Sequence, residues 1–180
     1  MNIATHSEKN DAAQAETSTE SSLLKNALLF EYSSAANPIA AGSIPKIPYA
    51  EFASDLYATG SSRVIPLDLS QALKCSSPAS TPSLAASFLR LEAGDELETR
   101  ANATSELFYV IRGKGTSTIG DRQIAWSQGD FFTAPGGGAR HRGTETSVLY
   151  WVNDEPLLQY LGVERTQALF APADYTFSEL

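Results

Sequence analysis

Arg100, Asn102, Glu106, Phe108, Arg140 and His141 are the residues of this chain whose types and spacing could do chemistry. Gly94 is followed by five residues, Arg100, one residue, Asn102, three residues, Glu106, six residues and Gly113. Gly129 is followed by five residues, Pro135-Gly136-Gly137, and then by Arg140 and His141. Side chains at even spacing on a strand share a face. Arg100, Asn102, Glu106, Phe108 and Val110 share a parity, so if Glu106 points inward the others are expected to line the same pocket. That pocket would hold a guanidinium, an amide and a carboxylate among aromatic and aliphatic walls. His141 joins it if the triple glycine Gly136-Gly137-Gly138 bulges by one residue; otherwise Arg140 takes the place.

Three readings of this constellation stay open. A metal centre would need Glu106 and His141 with Asn102 or Glu98. One His and one carboxylate fall short of the ligand sets usual for catalytic zinc or non-haem iron. Arg100 is permanently charged and has no lone pair to offer, so neither metal nor cofactor is expected. In the second reading Arg100 and Glu106 form an internal ion pair that fills the pocket. In the third, Arg100 with Arg140 or His141 clamps a small carboxylate or phosphate, as a bidentate guanidinium does well. For catalysis only His141 and Glu106 are candidates, His141 by its ordinary pKa. Cys75 has no His near it in sequence and is expected to be structural. Pro135-Gly136-Gly137-Gly138 lacks the Lys-Ser/Thr of a phosphate loop. Trp126 and Trp151 are expected in the core.

The elements that must position these residues are mostly strands. Residues 1–22 are polar, almost without large apolar side chains, and read as a disordered tail containing His6. Residues 23–62 form a Pro-rich arm, with a docking segment at Leu23 to Phe30 and a short helix at Tyr49 to Tyr57. Residues 63–163 form the barrel. The predicted strands are Arg63 to Leu67 at an edge, Ser83 to Leu91, Leu107 to Arg112, Thr116 to Ile119, Arg122 to Trp126, Phe131 to Ala134 and Ser147 to Val152. Short strands separated by Gly turns indicate an antiparallel sandwich or barrel. Asp154 to Leu161 is a closing helical turn, and 164–180 a C-terminal tail. Two strands, Leu107 to Ile111 and Val148 to Val152, are apolar on both faces. Something is expected to cover their outer side, the arm and a second subunit together, and a homodimer is the expected assembly.

Bulk properties narrow the partners. The 180-residue chain can bury a sizeable core. Its net charge of −8 argues against nucleic acid and anionic membrane. No apolar run is long enough to span a bilayer, and the first twenty residues lack a secretory pattern. A cytoplasmic location is the expectation. The single cysteine excludes an internal disulfide.

The spacing from Gly94 to Gly113, followed after fifteen intervening residues by Gly129 and then by Pro135-Gly136-Gly137, resembles the two motifs of the cupin superfamily. That resemblance implies an all-β double-stranded β-helix, the jelly roll, here with an extended N-terminal arm. In metal-binding cupins the two positions held here by Arg100 and Asn102 are His, and a further His falls at the position of Arg140. Between Thr99 and Arg165 the chain also resembles the C-terminal cupin of gentisate 1,2-dioxygenase-type bicupins. The residues that carry this are Arg100, Ala103-Thr104, Phe108 to Gly115, Ala125-Trp126-Ser127, Gly129-Asp130, Asn153-Asp154-Glu155-Pro156 and Leu161-Gly162. In that family iron sits in the other, N-terminal cupin, and the C-terminal one serves scaffolding and oligomer contacts. The resemblance implies a non-metal cupin that binds a small anionic molecule or has a structural role. The alternative is a dioxygenase-related or isomerase/dehydratase-like enzyme using His141 and Glu106.

Overall fold

The computed structural model describes residues 48–179, together with Ala36, Asn37, Ala40 and Gly42. The chain divides into two compact units, Met1–Lys46 and Ile47–Leu180, and all described strands belong to the second. The expected disordered tail, His6 and the docking segment at Leu23 to Phe30 lie outside the described residues.

Ten strands build two antiparallel sheets. They are β1 (Arg63–Pro66), β2 (Ala85–Leu91), β3 (Glu96–Thr99), β4 (Glu106–Arg112), β5 (Lys114–Ile119), β6 (Arg122–Ser127), β7 (Phe131–Ala134), β8 (Ala139–Gly143), β9 (Ser147–Asn153) and β10 (Ala173–Tyr175). Helix α1 spans Ser70–Leu73 and α2 spans Glu155–Leu161. One sheet runs β1-β2-β9-β4-β7-β10 and the other β3-β8-β5-β6. This is the jelly-roll architecture expected from the resemblance. Among the described residues no helix is long and apolar enough to cross a membrane.

Alternation places the core. Leu89, Leu91, Phe108, Val110, Phe132, Leu149 and Trp151 from the larger sheet meet Ile119, Ile124 and Trp126 from the smaller one, all buried. Three strands were missed by sequence reading. β3 and β8 carry charge at every second position, Glu96 and Glu98 facing Arg142 and Arg140, and that pattern has little apolar signal. β10 sits in the segment expected as a tail and pairs with β7. Lys114 and Gly115, expected in a turn, open β5.

The outer face of the larger sheet is covered in part. Phe52 and Tyr57, together with Ile65, Ile111, Tyr150 and Val152, pack on the buried cluster of Leu67, Ala86 and Phe88, with Tyr57 edge-on to Phe88 at 4.7 Å. Two arginines hold this covering segment. Arg63 donates to the carbonyls of Leu56, Thr59 and Ser61. Arg90, buried beneath the segment, donates to Gly60 O at 2.7 Å and Tyr57 O at 3.0 Å and pairs with Glu92. The expected helix there is a 3-10 turn at Ser54–Tyr57. Among the described residues the cover ends at β4, where Leu107 and Tyr109 are exposed.

Replacing Arg90 by Leu removes both carbonyl contacts and the ion pair with Glu92. The expected result is a loss of about 1–3 kcal/mol in urea denaturation, with faster proteolysis between residues 52 and 62. Unchanged stability and protection would mean that the segment holds without its arginine clamp.

Candidate functional site

The inner face of the smaller sheet carries a polar chain. Register sets Ser117 on β5 directly opposite His141 on β8, and Thr99 on β3 opposite Ala139, diagonal to His141. His141 is fully buried, as is Ser117. Its Nδ1 lies 2.7 Å from Ser117 Oγ, and its Nε2 lies 3.0 Å from Thr99 Oγ1. Trp126 Nε1 donates to Ser117 Oγ at 2.8 Å, and Thr99 Oγ1 donates to Ala139 O at 3.4 Å. An indole can only donate. One arrangement pairs every hydrogen: Trp126 to Ser117, Ser117 to Nδ1, Nε2–H to Thr99, and Thr99 to the carbonyl. His141 is therefore neutral with its proton on Nε2. Gly115 makes this possible, since a Cβ there would stand 2.6 Å from the Trp126 ring and 2.2 Å from Arg142 O.

Burial pushes the His141 pKa down to about 3. Its ring packs on Phe108 at 4.9 Å, and Phe108 in turn stacks on Phe132 at 4.8 Å. The middle of the barrel is thus filled by rings.

Glu106, the first residue of β4, points inward and is buried. Trp151 Nε1 donates to its Oε2 at 2.7 Å, while Oε1 is buried without a hydrogen bond. Burial raises its pKa, opposed by the Trp151 N–H, by the Gly138 N–H that lies close without hydrogen-bond geometry, and by the charge of Arg165, and reinforced by Glu155.

Arg100 is not inside. β3 ends at Thr99, so residues 100–105 form a loop and the parity counted from Glu106 does not carry through it. Thr99, Ala101 and Ala103 are buried instead, and Arg100 is exposed. The expected Arg100–Glu106 ion pair is therefore corrected: it is absent among the described residues. Asn102 is also not a pocket wall. Its Nδ2 donates to Val163 O at 3.1 Å, and its Oδ1 accepts from Arg165 N at 3.0 Å. Its own N–H donates to Glu155 at 3.1 Å. Asp154 holds the same loop through the N–H groups of Thr104 and Ser105 and the Thr104 hydroxyl. Asn102 is thus a staple for the chain after α2.

The triple glycine decides between Arg140 and His141. Gly136, Gly137 and Gly138 have φ of 77°, 98° and 118°, a region that L side chains avoid. The chain emerges with His141 inward and Arg140 outward. Arg140 pairs with Glu96 at 3.1 Å and Glu98 at 3.3 Å. Outside the barrel, Arg100 and Arg140 line one groove of about 260 Å³ with Glu98, Thr99, Thr118, Gly120, Gly137, Gly138 and Ala139. The structure therefore separates the predicted residues. Glu106, Phe108 and His141 are interior, Arg100 and Arg140 share the groove, and Asn102 staples the mouth. Thr99, Ser117 and Arg165 were missed, since small hydroxyls and a tail arginine carry no pattern of their own.

A metal does not fit this donor set. Both nitrogens of His141 are engaged by hydroxyls, and one oxygen of Glu106 is taken by an indole. No three His, Cys, Asp or Glu side chains come together among the described residues.

Comparison with known proteins agrees with this fold. Residues 87–153 match the family model described as cupin domain. The chain is 31% identical over 74 residues to 5-aminosalicylate 1,2-dioxygenase of Comamonas sp, covering 40% of this chain and 20% of that enzyme. Its structure is similar to salicylate 1,2-dioxygenase from Pseudoaminobacter salicylatoxidans in its gentisate adduct. There the TM-score is 0.50 at 21% identity, over 65% of this chain and 30% of the other. With a variant of the same enzyme the likeness covers 92% of this chain and 38% of the other, at 18% identity and the same TM-score. The chain thus spans 20% of the curated relative and 30% to 38% of these solved structures.

The buried imidazole sets a pH response. Unfolded, His141 takes a proton near pH 6.5; folded, it refuses one until about 3. Its contribution is complete above 6.5 and falls by about 1.4 kcal/mol per pH step as the pH drops toward 3. Glu106 acts in the opposite sense, favouring the fold below its unfolded pKa and losing that contribution as pH rises through the raised folded value. Urea denaturation at pH 7 and 4 is expected to show a steeper acid loss for wild type than for His141→Phe. Equal slopes would mean that His141 is protonated in the folded barrel.

Proposed function

We propose, from the premise that residues 87–153 are a cupin domain related to ring-cleaving dioxygenases, that this domain works without a metal. It binds a small organic anion in the groove at the barrel end, and its interior is a structural core. One observation carries this reading. Arg100 stands in the groove beside Arg140 with no hydrogen bond or ion pair among the described residues. A free guanidinium against a glycine-lined wall suits a carboxylate, because backbone can approach closely where no Cβ intervenes. The similar enzymes are named for salicylate and 5-aminosalicylate, so an aromatic carboxylate is the first ligand to test.

The enzyme reading through His141 and Glu106 is not supported by the geometry. An acid/base group must reach the proton that it moves. His141 is sealed beneath Phe108, with both nitrogens engaged.

A second reading rests on the exposed face of the larger sheet. Leu107 and Tyr109 are exposed on β4, and across β7 the exposed Tyr175 stacks on Phe131 at 4.6 Å. We propose that a second copy of this chain covers that face, giving a homodimer. Apolar patches of this kind commonly mark interfaces.

Titration calorimetry with salicylate is expected to show at least tenfold weaker binding for Arg100→Ala, the loss of one charge-assisted hydrogen bond. Unchanged affinity would remove the groove as the site. Sedimentation equilibrium is expected to show a dimer that Tyr109→Glu converts to monomer with its circular dichroism retained. A monomeric wild type would dismiss the self-association reading.

A further inference from the structure

We propose that Arg165 is a second anion anchor at the barrel end and that the ligand it selects is doubly charged. This inference rests on the groove reading given above and deepens it. The site is assembled from three separate parts of the chain around one turn. Arg100 and Arg140 approach Gly137 and Gly138 from the groove side. Arg165 packs against the same turn. A Cβ built on Gly137 would stand 2.3 Å from Arg165 Nη2, and one on Gly136 would stand 3.5 Å from Arg165 Cδ. The guanidinium therefore occupies the space that a side chain on Gly137 would take.

The placement of Arg165 is built rather than incidental. Helix α2 ends in Gly162, whose φ of 66° is the left-handed cap that turns the chain back. The Gly162 and Val163 N–H groups close that cap on Gln159 O and Leu158 O. Asn102 then grips the chain on either side of Glu164, through Val163 O and Arg165 N. Arg165 is half-buried, yet its guanidinium makes no hydrogen bond or ion pair among the described residues.

Counting charges selects the ligand class. Arg140 is matched by Glu96 and Glu98. Arg100 and Arg165 are the two guanidiniums at this turn that lack an ion pair. Glu106 feels the charge of Arg165, yet the two form no ion pair. Two guanidiniums without an ion pair at one glycine turn suit two anionic groups on one small molecule, such as a dicarboxylate, better than one.

Phthalate and benzoate share a ring and differ by one carboxylate, so they isolate this term. Calorimetry at pH 7.5 is expected to show wild type binding phthalate at least tenfold tighter than benzoate. Arg165→Gln is expected to erase that difference while leaving benzoate affinity as in wild type, and Arg165→Lys to restore part of it. Arg100→Ala is expected to weaken both ligands. Retained discrimination in Arg165→Gln would overturn the role of Arg165 while leaving the groove reading intact. Binding of neither ligand by wild type would overturn both. Thermal unfolding of each variant separates a lost anchor from a lost fold. Because Asn102 bonds to the backbone of Val163 and Arg165, Arg165→Gln keeps the strap in place.

Discussion

A neutral imidazole held between two hydroxyls is the constraint around which this barrel is organised. His141 sits with no water contact, so each of its nitrogens has to find a protein partner or leave a costly orphan. Ser117 and Thr99 meet that demand, and Trp126 and Ala139 O complete the chain. The demand explains residues that look unremarkable in isolation. Gly115 is small because the Trp126 ring must cross it to reach Ser117. Phe108 and Phe132 fill the remaining volume and keep the chain dry, which strengthens each bond and raises the penalty for breaking one.

The same filling closes the centre of the barrel. A barrel centre occupied by stacked rings and a satisfied His leaves little for a substrate to engage. The end of the barrel is different. There the triple glycine exposes backbone, and three arginines arrive from the loop after β3, from β8 and from the chain after α2. Asn102 and Asp154 hold the loop from 102 to 105 in place. The Asn153-Asp154-Glu155-Pro156 run thus has a mechanical purpose, starting α2 while pinning the neighbouring loop. The C-terminal segment continues around the barrel. β10 joins β7, and the Phe177 N–H is held by Asp130 at 2.8 Å. Hydrogen bonds from Phe177 and Ser127 outweigh the effect of burial and keep the Asp130 carboxyl below its usual pKa.

The larger sheet shows how cover is shared. β2 and β9 are buried on both faces because Phe52 and Tyr57 lie over them, clamped through Arg63 and Arg90. β4 alternates cleanly between buried and exposed positions. Its outer Leu107 and Tyr109 have the same apolar character as the covered residues of β9, with no described segment over them.

How much was legible follows from what each signal depends on. Glycine spacing and period-two alternation are local, so most strands and the jelly-roll class could be read from the order of residues alone. The absence of His at positions 100 and 102 is likewise a matter of residue type, and it dictated that the usual metal ligands are missing. Side-chain direction across the loop from 100 to 105 could not be read, because alternation is defined only while the chain stays extended. Placing Arg100 outside, Thr99 inside and Asn102 on the strap depended on where β3 stops and on partners some 60 residues away. The choice of His141 over Arg140 likewise waited on three positive-φ glycines. The sequence by itself determined which chemical groups this protein has. Only the tertiary structure decided which of them are sealed in and which meet solvent, because burial is set by contacts between segments that the order of residues keeps far apart.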